Sequence, residues 1–100
     1  MGFYLWKEFT ITYNGQKEKW YYLNSHLAWW EAFSACKSIG KSAQPIDVLI
    51  ARWKLLGVYA SLSWSNTIAA HEAGRYIFVH LQNYGRYVPG VLPSYPILCR

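Results

Sequence analysis

Two residues, Cys36 and Cys99, are the only cysteines in this chain of 100 residues, and their placement constrains its fold more than any other feature. Cys36 sits in the middle of Trp29-Trp30-Glu31-Ala32-Phe33-Ser34-Ala35-Cys36-Lys37-Ser38-Ile39-Gly40, a stretch that reads as helix. Cys99 closes the run Tyr95-Pro96-Ile97-Leu98-Cys99-Arg100. If the two are bonded, the last segment is stapled across the domain onto the first helix. Such a bridge closes a loop of about 60 residues, worth about 4 kcal/mol in the chain-entropy account. It also implies an oxidising compartment, because cytosolic thiols stay reduced. The alternative is a pair of unbonded, buried thiols. A metal site would need more Cys or His at ligand spacing than the chain offers, so neither metal nor cofactor is expected.

The chain has the length of one domain, residues 1–100, large enough for a core and small enough to profit from a staple. A hydrophobic fraction of 53% excludes disorder. Aromatic residues make up 19%, more than a core of rings easily absorbs, and Tyr and Trp also suit half-exposed recognition surfaces. The net charge of +5 favours anionic partners such as acidic glycans, lipopolysaccharide or an acidic protein face. The ten Lys and Arg residues are scattered, which reads as solubilising charge, and no nucleic-acid partner is expected. The longest stretch free of charge and His, Leu55 to Ala70, is broken by Gly57, Ser61, Ser63, Ser65 and Asn66, so no membrane insertion is expected. Trp6-Lys7-Glu8 interrupts any apolar leader. A disulfide domain without an export signal is expected to be one domain of a longer surface protein.

Phe3 to Tyr13 reads as a strand, Asn14-Gly15 as a hairpin turn, and Lys19 to Leu23 as the returning strand. A helix is predicted over 29–39, with Glu31 near its start and Gly40 as its stop. Pro45 then opens a second helix that runs to Gly57, whose stripe of Ile46, Leu49, Ile50, Trp53 and Leu56 faces a core. Ser61 to Asn66 suggests a short strand and Thr67 to Ala73 a loop. Arg75 to Leu81 is the clearest strand, Asn83-Tyr84-Gly85 a turn, and Val88 to Pro93 an irregular loop or edge. The final strand is Tyr95 to Cys99, with Pro96 placing part of it at an edge or bulge. Two consecutive helices flanked by strands make an α+β domain.

The succession of a helix with a central Cys, a Pro-started second helix, Ser63-Trp64-Ser65-Asn66, Gly74-Arg75-Tyr76-Ile77-Phe78-Val79 and the terminal Tyr95-Pro96-Ile97-Leu98-Cys99 resembles the C-type lectin-like fold. It is most similar to the bacterial version in the C-terminal receptor-binding domains of intimin and invasin adhesins, over roughly residues 20–100. Arg52-Trp53-Lys54-Leu55-Leu56-Gly57-Val58-Tyr59 resembles the corresponding stretch of those adhesins. The resemblance implies two helices on short antiparallel sheets, a bond between the helix cysteine and the C-terminal strand, and extracellular recognition without chemistry. It places recognition in a long irregular region built from Val58 to Ala73 and Tyr84 to Pro93.

The residue types themselves bear on catalysis. Calcium takes six to eight oxygen ligands, and the acids Glu8, Glu18, Glu31, Asp47 and Glu72 are far apart in sequence, so calcium-dependent binding is not expected. A Ser-His-Asp arrangement would depend on the single Asp47 at a helix start, and His26, His71 and His80 lack metal spacing. No enzyme is expected. Trp64 is expected in the core, and only one of Trp29 and Trp30 can face inward. Tyr84, Arg86 and Tyr87 around Gly85 are the first candidates for ligand binding, since Tyr and Arg concentrate binding energy. The resemblance implies that Tyr59, Asn66, His71 and Arg75 border the same surface. The expected partner is a host or recipient-cell surface protein, as for a bacterial adhesin tip. The alternatives are a glycan or lipopolysaccharide, for a lectin domain at a pilus tip, and an adjacent domain of the parent protein, for a purely structural packing module.

Overall fold

The computed structural model describes residues 4–72, 75–82, 85–90 and 94–100; at 62, 69–72, 75–77 and 86–90 it describes the backbone. The elements run β1 (Trp6–Tyr13), β2 (Gln16–Leu27), α1 (Trp29–Ser38), α2 (Ile46–Ala51), α3 (Trp53–Leu56), a 3-10 turn (Gly57–Ala60), β3 (Leu62–Glu72), β4 (Arg75–Gln82), β5 (Arg86–Gly90) and β6 (Tyr95–Cys99). The six strands form one sheet in the order β1-β2-β6-β3-β4-β5. All neighbours are antiparallel except β3 and β6, which pair in parallel through Trp64 and Ile97. The domain is therefore α+β, but on one mixed sheet rather than on several short antiparallel ones.

Alternation along the central strand explains the layering. Ile97 and Cys99 point to one face of β6 and Leu98 to the other, and all three are buried. On the first face Ile97 and Cys99 join Leu23, Leu27, Trp64 and Phe78 beneath Ala32, Ala35 and Cys36 of α1. On the opposite face Leu98 joins Ile11, Trp20 and Leu81 beneath Leu49 of α2 and Leu56 of α3. A sheet covered on both sides accounts for much of the apolar and aromatic excess. Trp29 stacks on Phe78 at 4.0 Å while its neighbour Trp30 stays 59% exposed. Cys36 and Cys99 are bonded, with Cα atoms 5.7 Å apart. The staple thus ties α1 to a strand in the middle of the sheet. Among the described residues no helix is long and apolar enough to cross a membrane.

Several boundaries differ from the sequence expectation for identifiable reasons. The hairpin forms at Asn14-Gly15, both at positive φ, but β2 continues to Leu27 because β6 extends the ladder on its other side. The second helix is broken: Arg52, at φ −115°, ends α2 and begins α3 as its guanidinium turns toward Glu18. The segment expected as a loop after Asn66 is strand through Glu72, paired with β4 across two register shifts. Of Val88 to Pro93, expected as an irregular loop or edge, 88–90 belongs to the edge strand β5, which begins at Arg86 and carries Pro89. Tyr84 and residues 91–93 lie outside the described residues. Pro96 lies in a central strand, not at an edge; its missing N–H is accommodated where β2 shifts register between Leu23 and Leu27.

Candidate functional site

The sheet does not gather the sequence candidates onto one face. Tyr59 is half-buried, stacked on Phe9 at 4.4 Å and tilted against Tyr22 at 4.9 Å, which makes it part of the packing between the 3-10 turn and the β1–β2 hairpin. His71 and Arg75 belong to the tip of the β3–β4 hairpin, where His71 pairs with Tyr76 and Glu72 with Arg75. Arg86 and Tyr87 open β5 opposite Gln82 and Leu81, at the far end of β4. Some seven strand residues, about 23 Å, separate Arg75 from that end. Gly85, just before β5, lies close against α3: a Cβ there, at φ +124°, would meet the Trp53 indole nitrogen at 3.2 Å. Leu55 and Val58, 48% and 69% exposed, lie on the same α3–turn segment.

Asn66 belongs to a different place, a shallow cavity of about 180 Å³ lined by Phe33, Lys37, Lys41, Ser42, Ala43 and Asn66. Its architecture follows from how α1 ends. Gly40, at φ +71°, lets the Gly40 N–H reach the Lys37 carbonyl and the Lys41 N–H reach that of Cys36, both at 3.0 Å. This paired closure folds Lys41 back beside the last helical turn, and hence beside Lys37. The following segment is fixed from two sides. Ser42 and Arg100 exchange backbone hydrogen bonds at 3.3 and 2.9 Å, and Ala43 bridges to Cys99. On the other side the Asn66 backbone N–H donates to the Gln44 carbonyl and its Nδ2 donates to the Ala43 carbonyl, each at 2.9 Å. The cavity floor is therefore tied to both central strands, a short step from the disulfide.

Charge is distributed unevenly around the molecule. The Glu18 carboxylate accepts two bonds from Arg52, at 2.6 and 2.8 Å, one from Arg100 at 2.8 Å and one from the Trp20 indole at 3.2 Å. The Arg52 hydrogen bonds, outweighing desolvation, hold the carboxyl below its ordinary value. Arg52 also lies 3.8 Å over the Tyr13 ring. Sequence inspection does not single out Glu18, because its partners are 34 and 82 positions away. Lys37 and Lys41, by contrast, have no carboxylate partner among the described residues. The signal for them is Gly40 between two lysines at a helix end, which folds the second back toward the first. Among the described residues no group of three or more His, Cys, Asp or Glu gathers to hold a metal ion.

Acid stability tests the Glu18 network. Its folded-state carboxyl is depressed, so the stabilisation is complete above the unfolded value of about 4.3 and is lost as pH falls through the lower folded value. His80 acts at a higher pH. Burial, against a weaker pull from the Leu81 carbonyl, lowers its pKa, so stability declines as pH drops below about 6.5. Urea midpoints measured from neutral to acid pH are expected to fall in two stages. Glu18→Gln removes the lower stage and costs about 2 kcal/mol at neutral pH, the scale of hydrogen bonds to a charged group. An unchanged acid profile in that variant would show the network to be energetically idle.

Compared with known proteins, the chain matches no protein-family model, no curated protein and no solved structure.

Proposed function

We propose that this chain is an extracellular recognition domain of C-type lectin-like character, calcium-independent and carried by a bacterial surface adhesin. The single observation that carries the reading is the bond from the middle of α1 to the last strand. A covalent tie between a first helix and a final strand fits an exported α+β module, and it is the feature on which the resemblance to intimin and invasin domains turns. Both cysteines are consumed in that bond, so neither serves as a nucleophile. His80 is likewise committed to packing, its ring 3.9 Å from that of Tyr95. An aromatic, basic surface supports the binding reading.

The proposed receptor face is the β4–β5 hairpin with the α3 segment beneath it. The Gly85–Trp53 contact braces the hairpin, and β5 lies at the sheet edge with Arg86 and Tyr87 at its start. An edge strand whose backbone is held at Gly85, just before it begins, offers a partner an ordered strand edge, which limits the entropy lost on docking. Leu55 and Val58 add apolar area next to it. Alanine at Tyr84, Arg86 and Tyr87 is expected to weaken binding to receptor-bearing cells by about tenfold or more, the scale of interface hot spots, with the thermal midpoint unchanged. Undiminished binding by all three variants would remove this face. Concentration-dependent self-association with no cell binding would favour a packing module instead.

A further inference from the structure

We infer that the cavity at the end of α1 is a subsite for the anionic group of a saccharide, a carboxylated or sulfated sugar ring. The inference rests on the recognition reading for its ligand class, and adds a second contact surface to it. Two lysines, Lys37 and Lys41, line one concavity, and neither has a carboxylate partner among the described residues. Three acids that might do so are engaged elsewhere: Glu18 with Arg52 and Arg100, Glu8 with Lys19, and Glu31 with the Ala28 N–H at 2.9 Å. An anion entering here gains charge-assisted hydrogen bonds without displacing an existing partner.

The rest of the lining selects a sugar over a bare ion. Phe33 supplies an apolar wall for the C–H face of a pyranose, and Ser42 and Asn66 supply polar edges. The Asn66 Nδ2 is committed to the Ala43 carbonyl, which leaves Oδ1 as an acceptor for a ring hydroxyl. Lys41 is steadied by the Tyr21 ring, 5.0 Å from its Nζ. A volume of about 180 Å³ is below the range of about 300 Å³ and upward typical of drug-sized ligands, so it suits one sugar ring rather than an oligosaccharide. Flexible partners would close such a cavity, but here its floor is fixed by the Ala43–Cys99 bridge and the Asn66 hydrogen bonds.

The test is an NMR titration of the intact chain with sialyllactose, a sulfated heparin-derived disaccharide, lactose and inorganic sulfate. The expected result is saturable perturbation of the backbone amides of Phe33, Lys37, Lys41 to Ala43 and Asn66 by one or both anionic sugars, and not by lactose. The double variant Lys37→Ala, Lys41→Ala should bind at least about tenfold more weakly, and so should the parent in about 1 M salt, where the screening length is about 3 Å. An unchanged thermal midpoint in the double variant shows that the fold is intact, and Ser34→Ala on the same helix serves as the neutral control. Perturbations elsewhere, equal effects of lactose, or sulfate alone matching the disaccharide would overturn the assignment, the last by reducing it to an ion site. Cell binding read in parallel separates the two readings: a negative titration with binding retained sinks only this subsite, whereas a positive titration with no cell binding sinks the receptor reading.

Discussion

Replacing Cys36 and Cys99 together by alanine is expected to lower the thermal midpoint by roughly 15–30 °C, from a loss of about 4 kcal/mol in a domain of this size. The size follows from what the bond restrains. It joins residues 63 positions apart, so it removes a large share of the conformational freedom of the unfolded chain. Both cysteines are fully buried, so the double variant also leaves space in the first core cluster beneath α1. Against a total stability of about 5–15 kcal/mol, the loss is about a quarter or more. Protein unfolded and refolded in reductant should show most of the same shift, less the part due to the cavity, while reductant added to the native protein should act slowly because the sulfurs are reached only through opening. A shift worth less than about 1 kcal/mol in calorimetry would show that hydrogen bonds and packing already fix α1 on β6. The case for a stapled, exported module would then lose its main physical support.

What could be read from sequence, and what could not, divides by the range of the interactions involved. The inward placement of Trp64 is implied by the resemblance, whereas the Asn14-Gly15 turn and the Glu31 start and Gly40 stop of α1 are decided within a few residues. The break at Arg52 is not. The stripe from Ile46 to Leu56 runs through it without interruption, and the change of backbone at Arg52, whose side chain reaches Glu18 on a distant strand, leaves no mark in the local pattern. The continuation of β3 from Thr67 to Glu72 was hidden in the same way, since the Ala-rich sequence has little strand propensity and the pairing with β4 supplies the order. Pro96 was legible in part: of the edge or bulge that proline demands, the structure has the bulge, in the strand paired beside it.

The candidate sites show the same division. Residues chosen because their types favour binding are spread by the sheet to opposite ends of β4, or drawn into packing as Tyr59 is. The cavity at α1 depends on four backbone segments meeting: the helix end, residues 41–44, β3 and β6. Composition showed that positive charge was in excess, yet only the fold shows which of the ten cations lie side by side without a carboxylate.

The second large effect is expected at Trp64, where truncation to alanine should cost about 3–5 kcal/mol, the range for large aromatic side chains in a core. Trp64 is fully buried at the one parallel pairing in the sheet, opposite Ile97 on β6 and His80 on β4. Its indole N–H donates to the Leu27 carbonyl at 2.7 Å, at the end of β2 beyond the register shift, and its ring meets Tyr95 edge-on at 5.1 Å. One side chain thus links four strands, β2, β6, β3 and β4. Trp64→Phe separates the two contributions: it keeps most of the apolar volume but strands the Leu27 carbonyl, a penalty of about 1–3 kcal/mol. Trp30→Ala is the counterpart, since a tryptophan 59% exposed on the adjoining helix should change stability by no more than about 0.5 kcal/mol. Urea unfolding of the three variants supplies the comparison. Equal losses at Trp64 and Trp30 would mean that the parallel junction of β3 and β6 is not where the sheet is held together, and the cavity floor that depends on that junction would lose its rigidity with it.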